Sequence, residues 1–275
     1  MINVSIVAYL TPVGELSNAI ETCSKSPVVA NIFVIDNSPT ASLREGLVGL
    51  DKVRYFHNPS NPGYGAAHNI AIRYTLSDGV DYHLVLNADV IFDYSLLEAM
   101  LDYAKSDANL GVLAPKMLYE DGSNQCSRKL LPTPVNMILR AFLPRNYRSR
   151  LDASYQLEHF DYDTPLLVPY VSGAFMFLNT SILRKVGLFD ERFFMYPEDI
   201  DLSRRIANVA KVSFCPEFTI IHKYGEATRK SLKMFIVHAF NICLYFNKWG
   251  WFFDKNRRVL NDKTLKQSHE LNGVK

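Results

Sequence analysis

The first half of the chain alternates short apolar runs with stretches whose apolar residues recur every three or four positions. VSIVAYL (4–10), NIFVIDNS (31–38), VRYFHN (53–58), YHLVLNADV (82–90) and LGVLAPKML (110–118) have the length and branched-residue content of buried strands. Between them, Val13–Cys23, Tyr64–Leu76 and Ser95–Lys105 follow the helical period. This alternation predicts an α/β domain: a mostly parallel sheet with helices on both faces. Open sheets of that kind bind ligands outside the carboxyl ends of their strands. Asp36 and Asn37, Asn58 to Asn61, and Asn87 to Asp89 all fall at such ends, so their polar groups are expected to converge on one crevice.

The second half is less regular. SRKLLPTPVNMILRAFLPRNYRSRL (127–151) contains six Arg or Lys residues and no acid, interleaved with Leu, Phe and Met. LLVPYVSGAFMFLN (166–179) reads as two strand-like runs around Ser172 and Gly173, and KVSFCPEFTIIHKYG (211–225) as another strand with His222 near its end. Between them, LFDERFFMYPEDIDLSRRIA (188–207) places Glu198 and Asp199 behind a proline at a helix entrance. From Ser231 to Phe253 the pattern is helical, apolar and aromatic, with a basic tail beyond it.

The bulk numbers narrow the class. A chain of 275 residues can bury a sizeable core, and 48% hydrophobic with 21% charged residues is ordinary for a globular protein. A formal charge of +2 gives no support to nucleic-acid binding. Cys23, Cys126, Cys215 and Cys243 show no paired spacing and read as reduced thiols of a cytosolic protein. MINVSIVAYLTP lacks a basic n-region and a cleavage site, so it reads as a strand; no apolar run is long enough to predict a membrane span.

Each candidate carries an ordinary reading and a chemical one. Asp89 is a turn aspartate or a ligand for Mg²⁺ or Mn²⁺, which bridge phosphates. His222 is a hydrogen-bonded core histidine or, if Asp89 holds a cation, a second ligand. NPSNPGYGAAHN (58–69) opens a helix, and Gly63 and Gly65 permit a close backbone approach, but it lacks dinucleotide and Walker spacings. The acid pair is a helix cap, favoured by the positive helix N-terminus, or a catalytic base at a pocket mouth.

In chain order, VSIVAYLTP, IDNS, NPGYGAAHN, LNADV, SGAFMFLNTSILRKVGLFDERFFMYPEDIDLSRRI and HKYG resemble the family 2 glycosyltransferases. These are inverting enzymes with a GT-A fold, a Rossmann-like sheet flanked by helices. The resemblance runs from about Val4 to Arg229 and points to the branch that builds bacterial O-antigen and other surface polysaccharides, including many rhamnosyltransferases. It implies Asp199 as the base that deprotonates the acceptor, supported by Glu198 under an aromatic shelf of Phe193, Phe194 and Tyr196. Asp89, with His222, would hold Mg²⁺ or Mn²⁺. Ala8, Tyr9, Asp36, Asn61, Gly63 and Asn69 would lie near the nucleotide and donor, as would Asn87 and Ala88, with Gly173 and Ala174 by the donor sugar. Asn87 stands where the family's metal motif usually has its first acid.

The implied donor is a nucleotide-diphosphate sugar, dTDP-rhamnose first and UDP-hexoses next. The implied acceptor is a hydroxyl of a glycan growing on a polyprenyl diphosphate. The competing readings are a nucleotidyltransferase, which AYLTPVGELS does not support for want of a Gly-rich basic loop, and a non-catalytic nucleotide-sugar-binding protein, for which Asn87 speaks. The expected organisation is a GT-A domain over 1–227 and an amphipathic helical extension over 228–275. That extension would pack on the core, form a homodimer, or rest on the inner face of the cytoplasmic membrane through aromatic and basic side chains.

Overall fold

The computed structural model describes residues 1–137, 153–223 and 232–272. Twelve strands form within them: β1 (Ile2–Ala8), β2 (Val29–Asp36), β3 (Val53–His57), β4 (Tyr82–Leu86), β5 (Val90–Ile91) and β6 (Leu110–Leu118), then β7 (Asn124–Gln125), β8 (Arg128–Lys129), β9 (Leu166–Leu167), β10 (Tyr170–Val171), β11 (Phe175–Asn179) and β12 (Lys211–His222). The helices are α1 (Val13–Lys25), α2 (Arg44–Leu47), α3 (Tyr64–Ser77), α4 (Ser95–Ser106), α5 (Thr180–Val186), α6 (Glu198–Ala207), α7 (Leu232–Trp249) and α8 (Lys255–Asn272).

The main sheet runs β3-β2-β1-β4-β11-β6-β12-β5, with β7 on β6 and β9 on β12. β1, β2, β3 and β4 are parallel, β6 and β12 are parallel, and β11 runs antiparallel between β4 and β6. Both faces are covered, which is why the strands read as near-continuous apolar runs. Leu16, Ile20 and Cys23 of α1 and Leu97, Met100 and Leu101 of α4 close one face over Ile6, Leu86 and Phe177. Ile72 of α3, Ile182 and Leu183 of α5, and Leu202 and Ile206 of α6 close the other over Val85, Val112 and Leu178.

Polar contacts fix α3 against the sheet. Ser5 Oγ lies 2.6 Å from His68 Nδ1 and 2.8 Å from His83 Nε2, and Thr75 Oγ1 lies 2.7 Å from His83 Nδ1. Burial pushes both imidazoles down, His83 to about 3, so the fastening is between neutral groups. Gly63 sets the entry of α3: at φ 107°, a Cβ there would stand 2.2 Å from Phe194 O, and Tyr64 N donates to that carbonyl at 2.8 Å. Its close approach is to the protein's own backbone.

Several boundaries differ from the sequence pattern. β1 stops at Ala8, where its register with Asp36 of β2 ends; Leu10 turns to φ 52° and is 69% exposed. YHLVLNADV breaks after Leu86, because Val90 N returns to Asn87 O and β5 crosses to the far edge beside β12. α5 is an additional helix, begun by Asn179, whose side chain accepts from Ser181 N. Gly250, at φ 100°, ends the helix expected over 231–253 at Trp249, and the basic tail folds as α8. The basic positions Arg140, Arg145, Arg148 and Arg150, and the segment around 224–231, lie outside the described residues.

α7 and α8 pack on the outer side of α6. Tyr245, Phe246 and Leu260 meet Ile200, Phe193, Tyr170 and Leu131 in a third cluster. Arg204 is fully buried there: it pairs with Asp254 at 2.5 Å, reaches Asn256 at 2.8 Å and lies 4.0 Å over the Trp249 ring. Asp201 accepts from Trp249 Nε1 at 2.7 Å and pairs with Lys248 at 2.7 Å. With the sheet on one side and this clamp on the other, α6 is buried nearly all round.

Candidate active site

The crevice forms where β1, β2, β4 and β12 end. β12 pairs antiparallel with β5, setting His222 opposite Val90, and Lys223 N donates to Asp89 O at 3.0 Å. His222 Nε2 thereby comes within 3.3 Å of Asp89 Oδ1, although 133 positions of sequence separate the two residues. Nδ1 of the same ring lies 2.6 Å from Gln125 Oε1, and Asn87 Nδ2 lies 3.4 Å from Nε2. Among the described residues no group of three His, Cys, Asp or Glu side chains converges as a metal cage. The donor set here is smaller: one carboxylate and one imidazole, with Gln125 Nε2 buried and unpartnered behind them. It fits Mg²⁺ or Mn²⁺ in the manner usual at phosphate sites, where diphosphate oxygens and water complete the shell.

The second corner is the acid pair. Asp199 Oδ2 accepts from Gly173 N at 3.0 Å and from Tyr170 Oη at 3.2 Å, and Oδ1 accepts from Ile200 N at 2.8 Å. Glu198 is buried too, but its Oε2 has no partner. Burial, then the neighbouring Asp199 charge, pushes the Glu198 carboxyl well above the usual range. Burial also raises Asp199, but hydrogen bonds from Gly173, Ile200 and Tyr170 and the Lys129 charge oppose it. When one of a close pair of carboxyls keeps a proton, donors decide which. Of the two, Glu198 is pushed further toward the neutral form and Asp199 is the better held as a carboxylate.

Gly173 joins the two corners. Its N–H serves Asp199, while its carbonyl lies 2.9 Å from Tyr64 Oη, which also lies 2.8 Å from Asn87 Oδ1. A Cβ on Gly173 would stand 3.2 Å from Asp199 Cβ, so the bare backbone is what lets Asp199 sit this close. Burial, then the neighbouring acidic groups, push the Tyr64 phenol well up.

The other expected residues divide. Ala8 O accepts from Asn37 N at 2.8 Å, and Asn37 links to Asn58 and Asn61 at 3.1 and 3.3 Å, making one polar rim beside exposed Tyr9. Asp36 is fully buried, accepting from Ser38 N at 3.0 Å and from Tyr55 Oη at 2.7 Å, so it shapes this rim from beneath. Asn69 does not join the set: its amide bonds Phe189 N and O and Glu191, clasping α3 to the turn before α6. Ala88 and Ala174 line the turn and strand beside Asn87, with Asn87 N donating to Ala174 O at 2.9 Å. The aromatic shelf is thinner than the sequence implies. Phe193 points into the core against α7, whereas Tyr196 stays exposed with its ring 5.3 Å from that of His238. A surface cavity of about 460 Å³ lined by Arg44, Leu47, Val48, Gly49, Val53 and Tyr55 sits at the β3 edge and shares no lining residue with either corner.

Tyr64, Tyr170 and Gln125 were not expected. Tyr64 stands inside NPGYGAAHN and Tyr170 two residues before Ser172, so proximity to a motif was the available signal; nothing local marks Gln125.

The family 2 glycosyl transferase model matches residues 6–187. The chain belongs to that family. It is a glycosyltransferase, and its mostly parallel sheet with flanking helices is the GT-A fold. Among curated relatives, it is 28% identical over 213 residues to the N-acetylglucosaminyl-diphospho-decaprenol L-rhamnosyltransferase of Mycobacterium tuberculosis, covering 72% of this chain and 68% of that protein. It is also 28% identical over 202 residues to the rhamnosyltransferase WbbL of Escherichia coli, covering 70% and 72%. Among solved structures, GalNAc-T7 with UDP, GalNAc and Mn²⁺ superposes with a TM-score of 0.59 at 17% identity, over 81% of this chain and 43% of that one. The mannosyltransferase PcManGT of Pyrobaculum calidifontis, with GDP-Man and Mn²⁺, gives 0.56 at 13%, over 90% and 63%. The family match ends before Glu198 and Asp199, so the acid pair stands on its own geometry.

Proposed function

We propose that this glycosyltransferase transfers rhamnose from dTDP-rhamnose, with inversion, to a hydroxyl of a polyprenyl-diphosphate-linked glycan. The observation that carries the mechanism is the Gly173 bridge. A base poised by a backbone N–H is linked through Gly173, Tyr64 and Asn87 to a carboxylate–imidazole pair suited to a cation. Inversion in one displacement needs an acceptor oxygen aimed at the anomeric carbon and a group that takes its proton. Asp199 serves as that group, held by Gly173 N–H and Tyr170 with lone-pair capacity left on Oδ1. Glu198, pushed toward the neutral form beside it, adds less competing charge. Asp89 and His222 would hold Mg²⁺ or Mn²⁺, which neutralises charge on the departing diphosphate when bound. The Asn37–Asn58–Asn61 rim would face the nucleotide. The rhamnosyl choice draws on the rhamnosyltransferases among the relatives. Measuring transfer and donor hydrolysis across dTDP-rhamnose and UDP-hexoses, with the lipid-linked acceptor, tests it. Faster transfer from a UDP-hexose moves the donor, and binding without turnover from any donor leaves a nucleotide-sugar-binding protein.

The same reading places the enzyme on the cytoplasmic membrane surface. Among the described residues no helix is long and apolar enough to cross a membrane. Phe235, Ile236 and Phe240 of α7 are nevertheless 53, 60 and 63% exposed, and the sequence around them carries Arg229, Lys230 and Lys233. An apolar stripe with flanking cations suits anionic lipid. A triple Ser replacement at these three positions is expected to abolish co-sedimentation with anionic liposomes at low salt; unchanged sedimentation discards the membrane contact.

A further inference from the structure

The turn from Phe193 to Pro197 leads the chain into the acid pair, and its first three residues are fastened. Phe193 is buried against α7, and Phe194 O accepts from Tyr64 N at 2.8 Å. Met195 O accepts at 2.8 Å from Nδ2 of Asn241, a buried amide of α7. Tyr196, next in line, is 39% exposed at φ 53°, in the left-handed region that a bulky residue rarely enters. Its ring meets that of His238 edge to face, with centroids 5.3 Å apart and planes at 85°. His238 precedes Asn241 by three positions on α7, so one face of that helix holds both the backbone and the ring of the turn. An edge-to-face pair sets a ring's tilt without covering both of its faces.

A strained backbone that holds an aromatic ring partly in water is a feature of ligand sites. The residues expected at the nucleotide and the cation lie at the ends of β1, β2, β4 and β12, whereas Tyr196 lies on the side of the acid pair where α7 packs. We propose that Tyr196 is the platform for the acceptor's sugar ring, and that His238 is the positioning residue that sets its tilt. A pyranose presents a face of C–H groups, which carry slight positive charge, and the face of a phenol ring is its negative side. Stacking engages that C–H face and leaves the equatorial hydroxyls at the edge of the sugar, where one of them can meet Asp199. A lipid tail would be held as well by any large apolar side chain; a ring face is what distinguishes a sugar. Both rings lie beyond residue 187, where the family match ends, so neither is prescribed by that match.

The inference rests on the glycosyl-transfer reading of the previous subsection, in which Asp199 takes the acceptor's proton, and the experiment separates the two. Methyl glycosides of glucose, galactose, mannose, rhamnose and N-acetylglucosamine are screened as acceptors for the purified full chain with its fastest donor. The best of them is compared with its polyprenyl-diphosphate-linked form. Tyr196→Leu is expected to raise KM about 10–30-fold for both forms, with the melting temperature kept and the dTDP dissociation constant within about twofold of wild type. Tyr196→Phe, which keeps the ring face, should recover most of that loss. His238→Ala should raise acceptor KM about threefold, and His238→Phe should restore it. Adding His238→Ala to Tyr196→Leu should cost nothing more, because His238 acts through the ring. Wild-type acceptor KM in Tyr196→Leu, or a rise confined to the lipid-linked form, overturns the sugar platform while transfer itself stands. Full additivity of the two changes removes His238 from its role. A wild-type chain that transfers to none of these acceptors overturns the acceptor reading, and this inference with it.

Discussion

Asp199→Asn separates the base from every other duty of its side chain. The amide is nearly isosteric, and its oxygen still accepts from Gly173 N, which sits 3.0 Å from the native Oδ2, while the one bond given up is that from Ile200 N to Oδ1. The helix start, the Gly173 contact and the fold should therefore survive. What disappears is the ability to take a proton. General bases contribute about 10²–10⁴-fold, or roughly 3–5 kcal/mol at 1.36 kcal/mol per tenfold. Single-turnover transfer should fall by that amount, while the dTDP dissociation constant measured by calorimetry should stay within about twofold of wild type. Glu198→Gln is the matched control: it replaces a carboxyl already pushed toward the neutral form, so its loss should be under about tenfold. The pH profile carries the same logic. Burial raises Asp199 above the ordinary carboxylate range, and the charged form is the base. Turnover should therefore be full above that raised value and fall as the medium is acidified through it. Near-normal turnover in Asp199→Asn, or a deep loss confined to Glu198→Gln, would refute the assignment.

Three further outcomes follow from the same contacts. Excess EDTA should abolish transfer and Mn²⁺ restore it, with Asp89→Ala unresponsive to added Mn²⁺; full activity in EDTA contradicts the cation reading. Gly63→Ala should prevent stable folding, because a Cβ 2.2 Å from Phe194 O at φ 107° requires backbone to move; an unchanged melting temperature contradicts this. Asp254→Ala should destabilise the protein by about 3–5 kcal/mol in urea, since it strands the fully buried Arg204, whereas exposed Glu21→Ala should leave the urea midpoint nearly unchanged.

The alternation of strand and helix was legible because β1, β2 and β4 are covered on both faces and so carry uninterrupted apolar runs. The polar residues after them were legible for the complementary reason: a strand end in an open sheet is where polar groups can meet a ligand. What sequence leaves hidden is the partner. Asn69 looks like a loop residue facing donor, yet its amide is held by Phe189 and Glu191, about 120 positions away. Phe193 and Tyr196 stand three apart in one aromatic run, and only the arrival of α7 decides that the first is buried and the second exposed. Gln125 carries no local mark because its contact with His222 depends on β7 and β12 both lying against β6.

The clamp on α6 has a practical consequence for anyone cutting or fusing this chain. Arg204 is neutralised by Asp254, so a fragment lacking Asp254 would leave an unpaired charge on the back of the helix that carries Asp199, where Asp201 would lose Lys248 and keep Arg205. Inactivity of such a fragment would therefore report a displaced Asp199 and says nothing about membrane or acceptor. Point replacements on the outer face of α7 leave those pairs intact, and they are the changes that can ask what that face touches.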